Sequence, residues 1–233
     1  MILPTMNDDE RCYEVYRICQ KAYNWYNDFG RDCVDKIRNA NRFPYFIHRD
    51  ITDDHGNKWT LGMSIGSKQQ KKKKLMRSYM FTPYVDEKGG RGAIGCDPMM
   101  LCFATPENMR GAMILDLTPH ALARYTQRYC VPNGKDYDFQ RKIDSIMLRW
   151  QWFDVLGDKH SLKYDKGLLP YDVYMSGGGM MRGWVINPMF VRFYTYVSDD
   201  LLFSNQRETQ DKIGKEFNAL MRDGTLVGKR KRY

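Results

Sequence analysis

The chain has 233 residues, 42% of them hydrophobic and 14% aromatic, with 37 Lys and Arg against 28 Asp and Glu and a formal net charge of +9. This length and apolar content suffice for a sizeable core, which excludes wholesale disorder. The apolar runs are shorter than the roughly 18 residues of a membrane span, and the first residues lack the basic and apolar regions of a signal peptide, so we expect a soluble protein with no membrane partner.

The first half of the chain is predicted to contain one helical segment followed by short strands. Apolar residues recur at three-and-four spacing from Glu10 to about Asn39, which predicts one long amphipathic helix, with a break at Gly30 as the alternative. Strands are predicted at 45–52, 59–65 and 75–85, a turn at 87–92, and an antiparallel pair at 99–104 and 112–117. Because Pro83 cannot donate to a strand ladder, it predicts that the third strand lies at a sheet edge or ends early.

The second half is predicted to contain two helices, three strands and a last helix. Thr118 can cap a helix that has Pro119 at its first position. A second helix is predicted at 138–153, strands at 171–175, 181–186 and 191–197, and a last helix from Ser198 to about Met221.

The order of these elements predicts an α+β fold with a mainly antiparallel sheet. Its helices would be a long N-terminal helix, two central helices and a C-terminal helix. We expect an N-terminal helical region at 1–44 and an α+β body at 45–233, and a single domain is the alternative because no linker composition separates them.

The six cysteines, at positions 12, 19, 33, 96, 102 and 130, form no C-x-x-C pair and have no histidine at zinc-finger spacing. We therefore expect free thiols in a reducing cytoplasm, with no metal site and no cofactor.

The positive charge is concentrated in two short segments. Residues 67–92 hold eight basic and two acidic residues, and residues 201–233 hold eight and four, whereas the rest of the chain is nearly balanced. Such blocks either contact phosphate groups of a nucleic acid or keep the protein in solution. The candidate nucleic-acid-binding residues lie in a basic loop at 67–77 and a basic tail at 229–233, and they are Lys68, Lys71, Lys72, Lys73, Lys74, Arg77, Lys229, Arg230, Lys231 and Arg232.

One predicted helix face could carry chemistry. On a helix that begins after Thr118, the side chains of His120, Arg124 and Arg128 fall on one side, opposite an apolar side. A histidine can transfer a proton near neutral pH, and arginines can hold a phosphate and stabilise its charge. The alternative is an ordinary solvated helix face.

The segment Thr118 to Arg128 resembles the Ser/Thr-x-His-Ala-x-x-Arg-(Met/Tyr)-x-x-Arg helix of a bacterial and phage group of toxin-like proteins, related in fold to the RelE/ParE/BrnT ribonuclease toxins. The match covers eleven residues, and Tyr129-Cys130 stands where that group has Gly-Ile. The resemblance implies an αβββ-type core at about 115–197, with His120, Arg124 and Arg128 as the catalytic residues. It implies that side chains of the sheet face them, and the candidates are Arg182, Arg192, Tyr194 and Tyr196.

Three interpretations of function follow. The first is a nucleic-acid-associated protein, with RNA favoured over DNA, that acts as a metal-independent RNase-like enzyme through the His/Arg face. The second is a non-enzymatic nucleic-acid-binding or virion/assembly protein of a phage or mobile element. The third is a protein-interaction subunit that binds a protein partner through its aromatic N-terminal helix. The setting would be the cytoplasm of a bacterial host, or a virion.

Overall fold

The computed structural model describes residues 2–72, 76–96, 114–156, 169–187 and 189–223. Within these ranges the helices are α1 (Asp8–Asn39), α2 (Lys68–Lys72), α3 (Pro119–Tyr125), α4 (Phe139–Arg149) and α5 (Ser204–Asp223). The strands are β1 (Tyr45–Thr52), β2 (Lys58–Ile65), β3 (Arg77–Val85), β4 (Arg91–Cys96), β5 (Ile114–Leu117), β6 (Trp150–Leu156), β7 (Leu169–Met175), β8 (Met180–Asn187) and β9 (Phe190–Val197). None of these helices combines the length and the apolar character needed to cross a membrane.

Nine strands of the described residues form one sheet, in the order β1-β2-β3-β4-β5-β9-β8-β7-β6. All neighbouring strands are antiparallel except β5 and β9, which are parallel. The sheet therefore consists of two antiparallel halves that join through the β5–β9 pair. The prediction of an α+β fold with a mainly antiparallel sheet is confirmed.

Helix α1 begins at a capping box and packs on the first half of the sheet. The side chain of Asn7 accepts a hydrogen bond from the backbone N–H of Glu10, and the Glu10 carboxylate accepts one from the backbone N–H of Asn7. The helix is continuous through Gly30. Its apolar side joins a core cluster with strands β1 to β5, and the largest buried members of this cluster include Ile18, Phe29, Trp59 and Leu61.

Helices α3 and α4 pack on the opposite face of the sheet. Side chains alternate between the two faces of a strand, and β3 shows the division: Met80 and Tyr84 belong to the α1 cluster, whereas Tyr79 and Phe81 belong to the second cluster. The second cluster contains Leu122 and Tyr125 of the α3 helix, Ile146 of the α4 helix, and Phe193 and Tyr196 of β9. The α3 and α4 helices therefore share one layer above the sheet.

Two regions of secondary structure differ from the predictions. Residues 91–96 form strand β4, so the turn predicted at 87–92 overlaps the first two residues of the strand. Gly92 and Gly95 are strand residues, and atoms of the neighbouring β3 pack closely over both. The predicted helix at 138–153 ends at Arg149, and Trp150 begins β6 by pairing with Met175.

Other predictions shift or fall outside the described residues. The helix predicted from Ser198 is a short 3-10 turn at Asp199–Leu201 followed by α5. The predicted strand at 99–104 lies outside the described residues, as does the first part of the predicted strand at 112–117.

Strand β3 lies inside the sheet, so the prediction that Pro83 places it at an edge is wrong. The residue pairs between β2 and β3 run from Ser64–Arg77 to Thr60–Phe81, and Pro83 lies beyond the last of them. On the other side, Pro83 pairs with Ala93 of β4. Because proline has no amide hydrogen, the ladder towards β2 ends before this residue while the strand itself continues.

Candidate functional site

Helix α3 presents its polar side to solvent because its beginning is fixed to β9. The hydroxyl of Thr118 accepts a hydrogen bond from the backbone N–H of Ala121 and donates one to the carbonyl of Phe193 at 2.8 Å. The side chains of Ala121, Leu122 and Tyr125 are buried against the sheet. This orientation leaves His120 and Gln127 exposed and Arg124 half-buried.

The structure brings together two of the three predicted catalytic residues. Nε of Arg124 donates to Nε2 of His120 at 3.4 Å, and Nη1 of Arg124 donates to Oε1 of Gln127 at 2.8 Å. Within the described residues, Nη2 of Arg124 has no hydrogen-bond partner. In a neutral imidazole that accepts at Nε2, the proton is on Nδ1. The pair therefore offers N–H donors of both side chains to an anion.

Arg128 makes an internal contact. It lies in a turn of π-helix at Thr126–Cys130, and its Nη1 donates to the carbonyl of Tyr196 at 2.8 Å. The guanidinium therefore ties the end of the α3 segment to β9. Arg124 and Arg128 are both half-buried, and of the two only Arg124 contacts His120.

The side chains of the sheet that the resemblance implied are mostly engaged in internal contacts. Arg182 forms a two-pronged ion pair with Asp172 at 3.0 and 2.9 Å. The hydroxyl of Tyr196 donates to the carbonyl of Gly178. Tyr194 is 38% exposed, and within the described residues it makes no hydrogen bond with His120.

Arg192 belongs to a buried charge network under α1. Its Nε donates to Asp116 at 2.7 Å, its Nη2 contacts Asp8, and the hydroxyl of Tyr84 donates to the other oxygen of Asp116 at 2.6 Å. Burial raises the pKa of Asp116, although Arg192 and Tyr84 act in the opposite direction. This network lies on the face of the sheet that α1 covers, whereas α3 lies on the other, so it joins strands and is separate from His120.

The basic loop contains two cations with structural roles. Nζ of Lys71 donates to the carbonyls of Arg38 and Ala40 at 2.6 Å each, at the end of α1. The Arg77 guanidinium donates to the carbonyls of Met147 and Trp150 at the end of α4. Burial lowers the pKa of Arg77 to about 10.

The other predicted nucleic-acid-binding residues are exposed or not described. Lys68 and Lys72 of α2 are exposed. Lys73 and Lys74, and the tail residues from Lys229 to Arg232, lie outside the described residues.

The structure also contains a polar cluster that the sequence did not indicate. Oδ1 of Asp144 in α4 accepts hydrogen bonds from the Tyr79 hydroxyl at 2.7 Å, from Nε2 of Gln140 at 2.8 Å and from Nε2 of His48 at 2.9 Å. Asp144 is 1% exposed, and its Oδ2 has no hydrogen-bond partner. The imidazole of His48 is partly exposed, and Nδ1 is the ring nitrogen that does not contact Asp144. We call these four residues the Asp144 cluster.

An open cleft lies beside the Asp144 cluster. It has a volume of about 600 Å³ and lies between the sheet and the beginning of α4. Strands β1 to β4 and the first turn of α4 line it, through Asp50, Ile51, Thr52, Lys58, Thr60, Phe81, Pro83, Arg91, Asp138, Phe139 and Gln140. Gln140 belongs to both the cleft and the cluster.

Comparison of the chain with known protein families, curated proteins and solved structures gives no match. Among the described residues, no group of three or more His, Cys, Asp or Glu side chains is arranged to hold a metal ion.

Proposed function

We propose that this is a nucleic-acid-associated protein that contacts phosphodiester groups through His120 and Arg124. The observation that carries the proposal is the position of the two side chains, with Nε of Arg124 3.4 Å from Nε2 of His120 on an outward-facing helix surface. Gln127 holds Nη1 of the guanidinium and leaves Nη2 available, so a phosphate can receive hydrogen bonds from the arginine and from Nδ1–H of the histidine.

The enzymatic form of the proposal is metal-independent cleavage of RNA. In this step the ribose 2′-hydroxyl would replace Nε of Arg124 at Nε2 of His120, and Nε2 would accept its proton while the 2′-oxygen attacks the neighbouring phosphorus. The 5′-oxygen would leave with a proton returned from the imidazolium, and Arg124 would stabilise the charge that builds up on the phosphate. This route requires the 2′-hydroxyl, and therefore favours RNA over DNA as the substrate.

The non-enzymatic form is binding to nucleic acid without cleavage. The observation that favours it is the hydrogen bond from Arg128 to the carbonyl of Tyr196, because this arginine does not join the contact between His120 and Arg124. The exposed Lys68 and Lys72 would add charge to such a binding protein. A nucleic-acid-binding or assembly protein of a phage or mobile element would have this property.

One experiment separates these forms. Wild-type protein and the variants His120→Ala and Arg124→Ala are incubated with labelled single-stranded RNA and DNA of the same sequence in the presence of EDTA. Arg42→Ala is the matched control, because Arg42 is exposed and lies far along the chain from this face. Thermal unfolding checks that each variant is folded.

The enzymatic form predicts that the wild type cleaves RNA and leaves DNA intact, and that His120→Ala slows cleavage by about a hundredfold or more. The binding form predicts intact RNA, with affinity lowered most in Arg124→Ala, which loses a charged donor, and less in His120→Ala, which loses a neutral one. Cleavage that EDTA abolishes contradicts the enzymatic form. A wild-type protein that neither binds nor cleaves either strand overturns the proposal.

A further inference from the structure

The cleft between the β1–β4 strands and α4 exists because β2 and β3 separate there. Their last residue pair is Thr60–Phe81, and Pro83 has no amide hydrogen to extend the ladder. The first turn of α4, at 138–140, lies over this opening. The volume of about 600 Å³ lies within the range of small-molecule binding sites.

Two cations of the cleft have no ionic partner. Among the described residues, Lys58 and Arg91 make no ion pair and their side chains make no hydrogen bond. The Arg91 guanidinium lies 4.0 Å from the centre of the Phe139 ring, so a cation–π contact holds its charge at the cleft wall. The lining also holds the carboxylates of Asp50 and Asp138, so the attraction for an anion is local to the two cations, of which the guanidinium suits the oxygens of a phosphate.

The cleft also offers acceptors and rings. Asp50 accepts a hydrogen bond from the Thr60 hydroxyl at 2.8 Å, and among the described residues its carboxylate has no cationic partner. A carboxylate of this kind can accept N–H groups from the edge of a nucleobase. Phe139 is half-buried, with the Arg91 guanidinium over its ring and the 5%-exposed Phe81 ring centred 6.5 Å away, so the uncovered part of Phe139 provides the apolar surface against which a planar base can pack.

The cleft wall is fixed by the buried carboxylate beside it. Gln140 lines the cleft and donates to Oδ1 of Asp144, which also holds Tyr79 and His48. The side chain of Gln140 is therefore held by a group that is itself 1% exposed. A wall that is positioned before a ligand arrives costs less ordering when the ligand binds.

We propose that this cleft is a binding site for a nucleoside phosphate. Lys58 and Arg91 take the phosphate, Asp50 takes N–H groups of the base, and the base packs in the cleft beside Phe81 and Phe139. The ligand is either a free mononucleotide or one nucleotide unit of a nucleic-acid chain, since the two share this chemistry. The inference goes beyond the function proposed for His120 and Arg124 and does not depend on it.

The test is titration calorimetry on the full chain with the four ribonucleoside 5′-monophosphates, their nucleosides and inorganic phosphate. A trinucleotide RNA that contains the best base is the second arm, and it distinguishes a chain from a free nucleotide. The variants are Lys58→Gln and Arg91→Gln, and the matched control is Lys212→Gln, which removes an exposed charge of α5, a helix that contributes no residue to the cleft. Thermal unfolding confirms that each variant is folded.

We expect at least one monophosphate or the trinucleotide to bind the wild type, with its nucleoside and inorganic phosphate at least about tenfold weaker. Each cleft variant should weaken binding by about tenfold, because a charge-assisted hydrogen bond is lost. Lys212→Gln should bind as the wild type does. Binding that survives in His120→Ala but is lost in Arg91→Gln supports the cleft even if the function proposed for His120 fails. Absence of binding by every nucleotide probe, or wild-type affinity in the Lys58→Gln/Arg91→Gln double variant, overturns the proposal.

Discussion

Substitution of Asp144 is expected to destabilise the fold in proportion to the contacts it loses. Its Oδ1 accepts three hydrogen bonds, from Tyr79, Gln140 and His48, at 2.7 to 2.9 Å. Tyr79 is 1% exposed and its other contact, with Nε2 of His48, is longer at 3.4 Å, so its hydroxyl cannot readily replace the carboxylate by water, which costs about 1–3 kcal/mol. His48 and Gln140 are less buried and can be hydrated at about 0.5 kcal/mol each. Asp144→Ala should therefore lower the free energy of unfolding by about 3 kcal/mol.

Two further variants show whether the acceptor oxygen is responsible. Asp144→Asn keeps an acceptor at the position of Oδ1 and removes a buried charge whose second oxygen is unpaired, so it should cost about 1 kcal/mol. In Asp144→Ala/Tyr79→Phe the stranded hydroxyl is gone, so the double variant should be no less stable than Asp144→Ala. Asp136→Ala, an exposed control, should unfold like the wild type.

The assay is urea unfolding at pH 7 and 25 °C, monitored by circular dichroism. If Asp144→Ala costs less than about 0.5 kcal/mol, or Asp144→Asn costs as much as Asp144→Ala, the reasoning is refuted.

Two more predictions concern acid stability and the basic loop. Burial alone would raise the pKa of Asp53, but hydrogen bonds from the side chains of Asn57 and Trp59 outweigh it and lower that pKa. Asp53 therefore stabilises the fold at pH values above the ordinary carboxyl pKa, and this stability is lost as the pH falls through the pKa that Asp53 has in the folded protein. The urea midpoints of unfolding at pH 5 and pH 3 should differ less in Asp53→Asn than in the wild type. Arg77→Gln should cost about 1–2 kcal/mol of unfolding free energy, because it removes donors from the carbonyls at the end of α4, and leave RNA affinity unchanged. Neutralising the exposed Lys68 and Lys72 should instead lower the affinity for RNA at low salt and leave the unfolding free energy unchanged. If Arg77→Gln lowers RNA affinity and the lysine variant lowers stability, the assignment of a structural role to Arg77 and a binding role to the lysines is contradicted.

Several elements were predictable because their signals are local. The beginning of α3 follows from Thr118 and Pro119, and the β1–β2 hairpin follows from the apolar pattern around the Asp54 to Asn57 turn. The beginning of strand β4 was not predictable from local sequence, because Arg91 and Gly92 belong to the glycine-rich segment that predicts a turn at 87–92. An added Cβ at Gly95 would lie 2.0 Å from the carbonyl oxygen of Met80, so the glycine is required by a close approach of another strand.

The candidate site was also predictable only where the signal is local. Helical periodicity places His120 beside Arg124, since they are four residues apart on one helix. The hydrogen bond of Arg128 goes to a carbonyl 68 residues away, and the contact between His48 and Asp144 joins residues 96 positions apart. No spacing pattern in a single sequence indicates such pairs, because each depends on how the sheet and the helices pack.

The salt dependence of RNA binding by Arg124→Ala tests the central claim most directly. Affinity for a labelled single-stranded RNA is measured by fluorescence anisotropy over a series of salt concentrations, with Arg42→Ala as the control. If Arg124 contacts a phosphate, its loss should weaken binding by about tenfold at low salt and reduce the slope of log K against log salt by about 1. Equal affinities and equal slopes in the wild type and Arg124→Ala would contradict the claim that this helix face binds nucleic acid.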